Sequence, residues 1–151
     1  MDSITYRTGD QARLGGVDVT LSLTPAQSAA LGIDLDTLTD WFDTALWALT
    51  LLRTGANDRN TDTDSAPTEA TAAMLYTVIN DLDLRLLPRL QGLRDAAIRQ
   101  HATLGGSLGQ LAHAMDVTKS TAQSRRKAVL EGRDRPSRWE QWATKNRPQE
   151  G

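Results

Sequence analysis

Two short stretches near the N-terminus alternate apolar and polar residues, a period of two that is typical of strands with one buried face. The apolar positions are Ile4, Tyr6, Val17, Val19, Leu21 and Leu23. Three glycines at positions 9, 15 and 16 are suited to the connection between the two stretches. The sequence therefore predicts an N-terminal β-hairpin.

The pattern then changes to a helical period. Thr24 and Pro25 are a helix-start signal, because a capping side chain precedes a proline in the first turn. Beyond this short helix, apolar residues recur every three or four positions until Gly55, with Asp34 or Asp36 as the predicted N-cap. The stripe comprises Leu38, Trp41, Phe42, Ala45, Leu46, Trp47, Leu49 and Leu52. A helix over 35–54 with a broad buried face is expected.

Residues 55–66 have no apolar period and are rich in Asn, Asp, Thr and Gly, which predicts a mobile acidic loop. Pro67 and Glu69 predict the start of the next helix. Pro88 then predicts a kink or a break, because proline lacks a backbone donor and its ring clashes with the preceding turn. A further helix over 89–103 is expected to end at two glycines.

Residues 107–130 predict two short helices that cross at a steep angle. Ser107 is suited to cap the first helix and Thr118 the second, and only Met115–Val117 lie between them. A steep crossing requires a small residue at the contact and apolar residues on both sides of the turn. These requirements are met by Leu111, Ala112, Met115, Val117 and Ala122.

This stretch resembles the bacterial helix-turn-helix superfamily. Leu111 and Ala112 match its apolar and small pair, and Met115 matches its buried residue before the turn. Val117 matches the apolar turn residue, and Ala122 the buried position of the second helix. The resemblance implies a recognition helix whose exposed N-terminal part faces the bases of DNA.

Two residues depart from the family pattern. Asp116 stands where the family usually has a glycine in the left-handed conformation, which aspartate tolerates better than most residues. Arg125 stands where many members have an aliphatic residue, and an arginine can lay its stem on a core while its head projects outward. Neither departure removes the resemblance.

Helical geometry assigns the faces of the second helix. At 100° per residue, Val129 lies beside Ala122 on the buried side, and a polar set lies opposite with Lys119 at its edge. That polar set is Ser120, Gln123, Ser124 and Lys127. Under the resemblance, Gln123 is suited to bidentate pairing with adenine, and Ser120 or Lys119 to base edges or phosphate.

The flanking arginines suit phosphates better than bases. The full set of residues expected at DNA is Ser107, Thr118, Lys119, Ser120, Gln123, Ser124, Arg125, Arg126 and Lys127.

The charge of the chain divides in two. The net charge is −2, but residues 1–84 carry −9 and residues 85–151 carry +7. The basic half contains the segment that resembles a helix-turn-helix. The basic residues are 14 Arg and 3 Lys, a bias typical of GC-rich bacterial genomes such as those of actinomycetes, including their plasmids and phages.

Several other classes of protein lack support. The chain has no cysteine, and His101 and His113 have no matched acidic spacing, so no metal site or cofactor is expected. Asp81 and Asp83 lie two apart on a helix and do not share a face. No phosphate-binding loop or nucleophile motif occurs, which argues against an enzyme. No apolar run is long enough for a membrane span and no signal peptide is present, so a cytoplasmic location is expected.

The tail contains a capping-box match, Ser137 with Glu140, that predicts a short helix bearing Trp139 and Trp142. Tryptophans at this spacing either seal the helix onto its own domain or anchor a protein partner.

The sequence thus predicts a mainly α protein: an N-terminal β-hairpin, a helical bundle and a C-terminal tri-helical helix-turn-helix. Residues 1–88 are expected to form an acidic assembly region and residues 89–147 a basic DNA-binding region. The expected function is a transcriptional regulator, a repressor on a mobile element for instance, that binds double-stranded DNA at a short operator as a homodimer. The alternative is a helical adaptor or antitoxin that binds another protein through its N-terminal half or its tryptophans, with incidental DNA binding.

Overall fold

The computed structural model describes residues 4–6, 16–59, 66–131 and 136–145, with the backbone alone for residues 4–6. Over these ranges the protein is mainly helical and has two small antiparallel sheets of two strands each. The chain divides into two compact units, residues 1–78 and 79–151. Among the described residues, no helix has both the length and the apolar character that a membrane crossing requires.

The first sheet pairs β1 (Ile4–Tyr6) with β2 (Val17–Val19), and Ile4 lies opposite Val19. The predicted turn residues Gly9 and Gly15 lie outside the described residues. The side chains of β2 are exposed along its whole length, so the expectation of one buried face is wrong for this strand. Val17 and Val19 are both exposed, so no described part of the chain buries them.

The first two helices are α1 (Pro25–Leu31) and α2 (Asp34–Thr54). Thr24 caps α1 as predicted, in a capping box with Gln27. The predicted aspartate cap of α2 is wrong, because its N-cap is Ile33 and no side chain bonds there. Gly55 ends α2 in the left-handed conformation, with φ of 68°.

The predicted acidic loop and the helix start that follows it need correction. Two short strands, β3 (Ala56–Asn57) and β4 (Thr68–Glu69), pair across the segment, and residues 60–65 lie outside the described residues. Trp47 of α2 donates from Nε1 to Oδ1 of Asn57 at 3.0 Å, which fixes β3 against the helix. The next helix therefore begins only after β4, where Thr71 Oγ1 accepts a hydrogen bond from the backbone N–H of Met74.

Helical structure continues through Pro88, so the prediction of a break is wrong. The segments are α3 (Ala72–Asp81), a π-helical turn (Leu82–Leu86) and α4 (Leu87–Thr103). The backbone N–H of Leu87 donates to Leu82, five residues earlier, which widens the turn before the proline. A wider turn relieves the clash between the proline ring and the carbonyl four residues earlier.

Three shorter helices complete the second unit: α5 (Leu108–Ala114), α6 (Lys119–Leu130) and α7 (Arg138–Thr144). The loop between α4 and α5 contains Gly105, with φ of 81°. Helix α6 packs on α5 and on α4, and α7 packs on α4. The predicted boundary at residue 88 falls in the first turn of α4, inside this unit.

Candidate nucleic-acid interface

A small apolar cluster holds α4, α5 and α6 together. Its buried members are Ile98, Leu111, Ala112 and Ala122, and Met115, Val117 and Val129 pack around them. Ala122 is 0% exposed, so the two crossing helices meet at a residue with a single methyl group. The cluster contains each of the five residues that the sequence assigned to the helix crossing.

The connection between α5 and α6 depends on two caps and one left-handed residue. Ser107 Oγ accepts from the backbone N–H of Gln110 at 3.1 Å, and Thr118 Oγ1 accepts from that of Thr121 at 3.2 Å. Asp116 has φ of 51° and is the one non-glycine residue with positive φ in the described part of the chain. Both predicted caps and the predicted left-handed conformation of Asp116 are confirmed, and three residues, Met115–Val117, separate the end of α5 from the Thr118 cap of α6.

The outer face of α6 is polar and open. Five predicted site residues are exposed along it: Lys119, Ser120, Gln123, Ser124 and Lys127. They lie on the side of the helix that Ala122 and Val129 leave free when they pack inward. Along the helix axis, the hydroxyl and amide side chains of this face lie between Lys119 at one end and Lys127 at the other.

The cations on α6 differ in how far they are engaged. Lys119 and Arg125 are exposed and have no hydrogen-bond or ion-pair partner among the described residues. Lys127 Nζ lies 3.7 Å from Glu131 Oε2, and both side chains are largely exposed. An exposed pair of this kind contributes about 1 kcal/mol or less. These three cations are therefore available to an anionic partner.

Arg126 is placed differently from its neighbour. Its side chain is half-buried, and Nη1 donates to the backbone carbonyl of Gly106 at 3.3 Å. The bond ties α6 to the loop that precedes α5. Arg126 thus lies away from the open face. Of the two predicted phosphate-binding arginines only Arg125 is exposed, and it lines a groove together with Asp95 of α4 and Glu140 of α7.

His101 supports the same loop by packing. A Cβ built on Gly106 would overlap the His101 ring, so any other residue at position 106 would require the ring to move. Nδ1 of His101 is buried and has no hydrogen-bond partner within the described residues. No group of three metal-ligating side chains occurs in the described ranges. His101 is a packing residue of the α4–α5 connection.

A buried ion pair that the sequence pattern did not predict lies beside α6. Arg99 of α4 donates from Nε to Oε1 of Glu140 at 3.0 Å, and Glu140 is only 4% exposed. Burial raises the pKa of Glu140, but hydrogen bonds from Ser137 and Arg99 and the charge of Arg99 outweigh it and hold the pKa below its ordinary value. The partners lie 41 residues apart, so no local pattern signals them.

Helix α7 lies very close to α4. A Cβ added to Gly92 would lie 2.7 Å from the carbonyl oxygen of Trp139, a distance that real Cβ atoms do not show. The rings of Trp139 and Trp142 meet edge to face, with centroids 6.4 Å apart. The Arg89 guanidinium lies 4.2 Å from the centroid of the Trp139 ring. The tryptophans therefore seal α7 onto its own unit, one of the two alternatives that the sequence left open.

Comparison of the chain with models of protein families, with curated proteins and with solved structures finds no match.

Proposed function

We propose that α5 and α6 form a helix-turn-helix and that the protein is a sequence-specific DNA-binding regulator. The observation that carries the proposal is the contrast between the two sides of α6. One side presents Ala122 and Val129 to the core, and the other presents a row of exposed polar and cationic side chains. A helix with that arrangement, joined to α5 by a three-residue turn and packed on it through Ala122, suits the major groove of duplex DNA.

Each exposed residue has a role in this proposal. Gln123 reads adenine through its amide, and Ser120 and Ser124 contact base edges. Lys119, Arg125 and Lys127 bind phosphates and fix the register of the protein on the duplex. Ser107 and Thr118 keep their capping bonds and offer their hydroxyl protons to phosphate oxygens. Arg126 contributes through the fold, because its donor is used on Gly106.

We further propose that the regulator acts as a homodimer on a short two-fold symmetric operator, with its N-terminal hairpin and helices as the assembly region. In that region α2 carries Phe42, Leu46 and Leu49 on one face, exposed at 48, 57 and 44%. An apolar stripe of this kind marks a surface for a protein partner. Sedimentation equilibrium tests it: Leu46→Glu should give monomers, whereas Asp40→Lys, a charge change at an exposed position on the opposite face of the same helix, should leave dimers.

Selection from a random duplex library, followed by fluorescence anisotropy with the selected sequence, tests DNA binding. Gln123→Ala should lower discrimination at one base position by about 5- to 150-fold, the equivalent of ~1–3 kcal/mol for a bidentate contact. Gln91→Ala makes the same change at an exposed position of α4 and should leave binding unaltered. Arg125→Ala should weaken binding to all sequences alike.

Salt dependence adds a quantitative check. With three available cations on each α6, a dimer neutralises about six phosphates, which predicts a slope of log K against log salt of about −5. If selection enriches no sequence over competitor DNA, the proposal is wrong. The exposed stripe of α2 then favours the adaptor or antitoxin hypothesis, in which the partner is another protein.

A further inference from the structure

Arg99 connects three helices of the second unit. It lies on α4, donates from Nη2 to the carbonyl of Val129 in α6 at 2.6 Å, and donates from Nε to Glu140 of α7 at 3.0 Å. The carbonyl of Val129 belongs to the last turn of α6, where backbone acceptors have no partner within the helix. A cation at that end also interacts favourably with the helix dipole. Arg99 is thus a C-terminal cap of α6 supplied by another helix.

Glu140 holds Arg99 in that position. Oε1 of Glu140 accepts from Arg99, and Oε2 accepts from the backbone N–H of Ser137 at 2.8 Å. Ser137 Oγ in return accepts from the backbone N–H of Glu140, which completes the capping box of α7. One carboxylate therefore begins α7 and orients the arginine that caps α6. A buried carboxylate requires such partners, because burial without them is costly.

The position of Glu140 in turn depends on how α7 docks. The close approach of Trp139 to Gly92 and the stacking of Arg89 on the Trp139 ring fix α7 along α4. A displaced α7 would carry Glu140 away from Arg99 and leave the last turn of α6 without its cap. Val129 also packs against the cluster that contains Ala122, so this turn helps to set the orientation of the whole helix.

We propose that α7 is a positioning element for DNA recognition, and that Arg99 and Glu140 are its positioning residues. The docked α7 fixes the last turn of α6 through Arg99 and so sets the angle at which the exposed face of α6 meets the major groove. Neither residue contacts DNA. This inference rests on the proposed function, because it concerns the same helix.

The test compares Glu140→Gln with Asp95→Asn, in the full chain and at a temperature where both are folded. The glutamine keeps the shape and the capping acceptor of Glu140 but removes the charge that orients Arg99. Asp95→Asn is a matched control, because Asp95 lies on α4 near the same pair and bonds the surface residue Arg94 instead. Two quantities are measured: the ratio of Kd for random duplex to Kd for the selected sequence, and segment-resolved amide hydrogen exchange.

Glu140→Gln should lower the Kd ratio by about tenfold or more, the effect expected from one lost charge-assisted hydrogen bond. Exchange should rise in α7 and in the last turn of α6, while α5 stays protected. The salt slope should stay at its wild-type value, since no phosphate contact is removed. A purely structural role would lower the folded fraction but leave the Kd ratio of the folded protein unchanged. Asp95→Asn should change the ratio by less than about twofold, as expected for an exposed pair.

Arg99→Lys provides a second variant in case Glu140→Gln does not fold. Lysine keeps the positive charge beside Glu140 but lacks the rigid fork of donors that lets arginine bond both Glu140 and the Val129 carbonyl. It should give a smaller loss in the same direction. A folded variant with rapid exchange in α7 and an unchanged Kd ratio overturns the proposal. If the wild-type protein prefers no DNA sequence, the proposed function fails. Separately, if amide exchange in the last turn of α6 is unchanged in Glu140→Gln, the inference that Glu140 and Arg99 fix this turn is overturned.

Discussion

Gly92 provides a direct test of how α7 meets α4. Glycine inside a helix is ordinarily about 1 kcal/mol less favourable than alanine, so Gly92→Ala should stabilise α4 if nothing else changed. The added Cβ would instead lie 2.5 Å from the carbonyl carbon and 2.7 Å from the carbonyl oxygen of Trp139. These are backbone atoms of α7, which cannot rotate away as a side chain can. The whole helix must move.

The size of the movement determines the cost. Relief to an ordinary contact near 3.4 Å requires α7 to retreat by roughly 1 Å. The Arg99–Glu140 bond of 3.0 Å would then exceed hydrogen-bonding distance. Overpacking typically costs ~1–3 kcal/mol, and a lost bond to a charged group adds about 1.5 kcal/mol or more. After the gain in helix propensity of ~1 kcal/mol is subtracted, a net loss of about 2 kcal/mol is expected for Gly92→Ala.

Gly109→Ala is the matched control. Gly109 lies in α5, and a Cβ there would make only ordinary contacts: 3.5 Å to Lys119 Cε, 3.8 Å to Ser107 Oγ and 3.9 Å to Lys119 Nζ. This variant should be more stable than the wild type by up to about 1 kcal/mol. Urea unfolding followed by circular dichroism measures both changes, and hydrogen exchange assigns them to α7 or α5. If Gly92→Ala is as stable as Gly109→Ala, the close approach of α7 to α4 is refuted.

Three further predictions concern the second unit. Asp116→Gly should raise the free energy of unfolding by about 1 kcal/mol, since glycine adopts the positive φ without strain, and urea unfolding should show Asp116→Val changing it in the opposite direction. Ala122→Leu should lower the free energy of unfolding by about 1–3 kcal/mol through overpacking, as measured by thermal unfolding. Ala128→Leu, at an exposed position, should not lower it. The pKa of Glu140 is lowered in the folded state, so its carboxylate stabilises the fold fully above the unfolded-state pKa, and this stabilisation is lost as pH falls through the folded-state pKa. In an acid titration of stability, Glu140→Gln should lack this contribution to the decrease in the free energy of unfolding.

Local signals predicted the elements that depend on neighbouring residues. Thr24, Ser107, Thr118 and Ser137 all form the caps expected of them, because each hydroxyl accepts from a backbone N–H three residues away. Such bonds form within one turn and need no help from the rest of the fold. The left-handed Asp116 was predictable for a similar reason, since the tightness of the turn dictates its φ.

Features that depend on distant partners were not predictable in this way. The strand β4 forms after Pro67 because β3 pairs with it, and that pairing overrides a local helix-start signal. The helix passes Pro88 because a π-helical turn absorbs the distortion, which the position of the proline alone does not reveal. The role of Arg99 depends on acceptors 30 and 41 residues further along the chain. Sequence periodicity contains no information about such contacts.

Arg125 and Arg126 show that some basic residues of the C-terminal half bond within the protein while others are exposed. These two residues are adjacent on α6, but Arg125 is exposed whereas Arg126 donates a hydrogen bond to the Gly106 carbonyl. Other described arginines of this unit are also engaged within the protein: Arg85 with Asp81, Arg89 with Trp139, Arg94 with Asp95, and Arg99 with Glu140.

The net charge of +7 over residues 85–151 therefore overstates the positive charge on α6 that is available to the proposed DNA partner. The cations that remain available on that helix are three, on either side of Gln123, and they flank the polar residues rather than replace them. A partner held by charge alone would need more than three cations on α6. Under the proposed function, a DNA duplex is therefore positioned by a few phosphate contacts and chosen by the hydroxyl and amide groups between them.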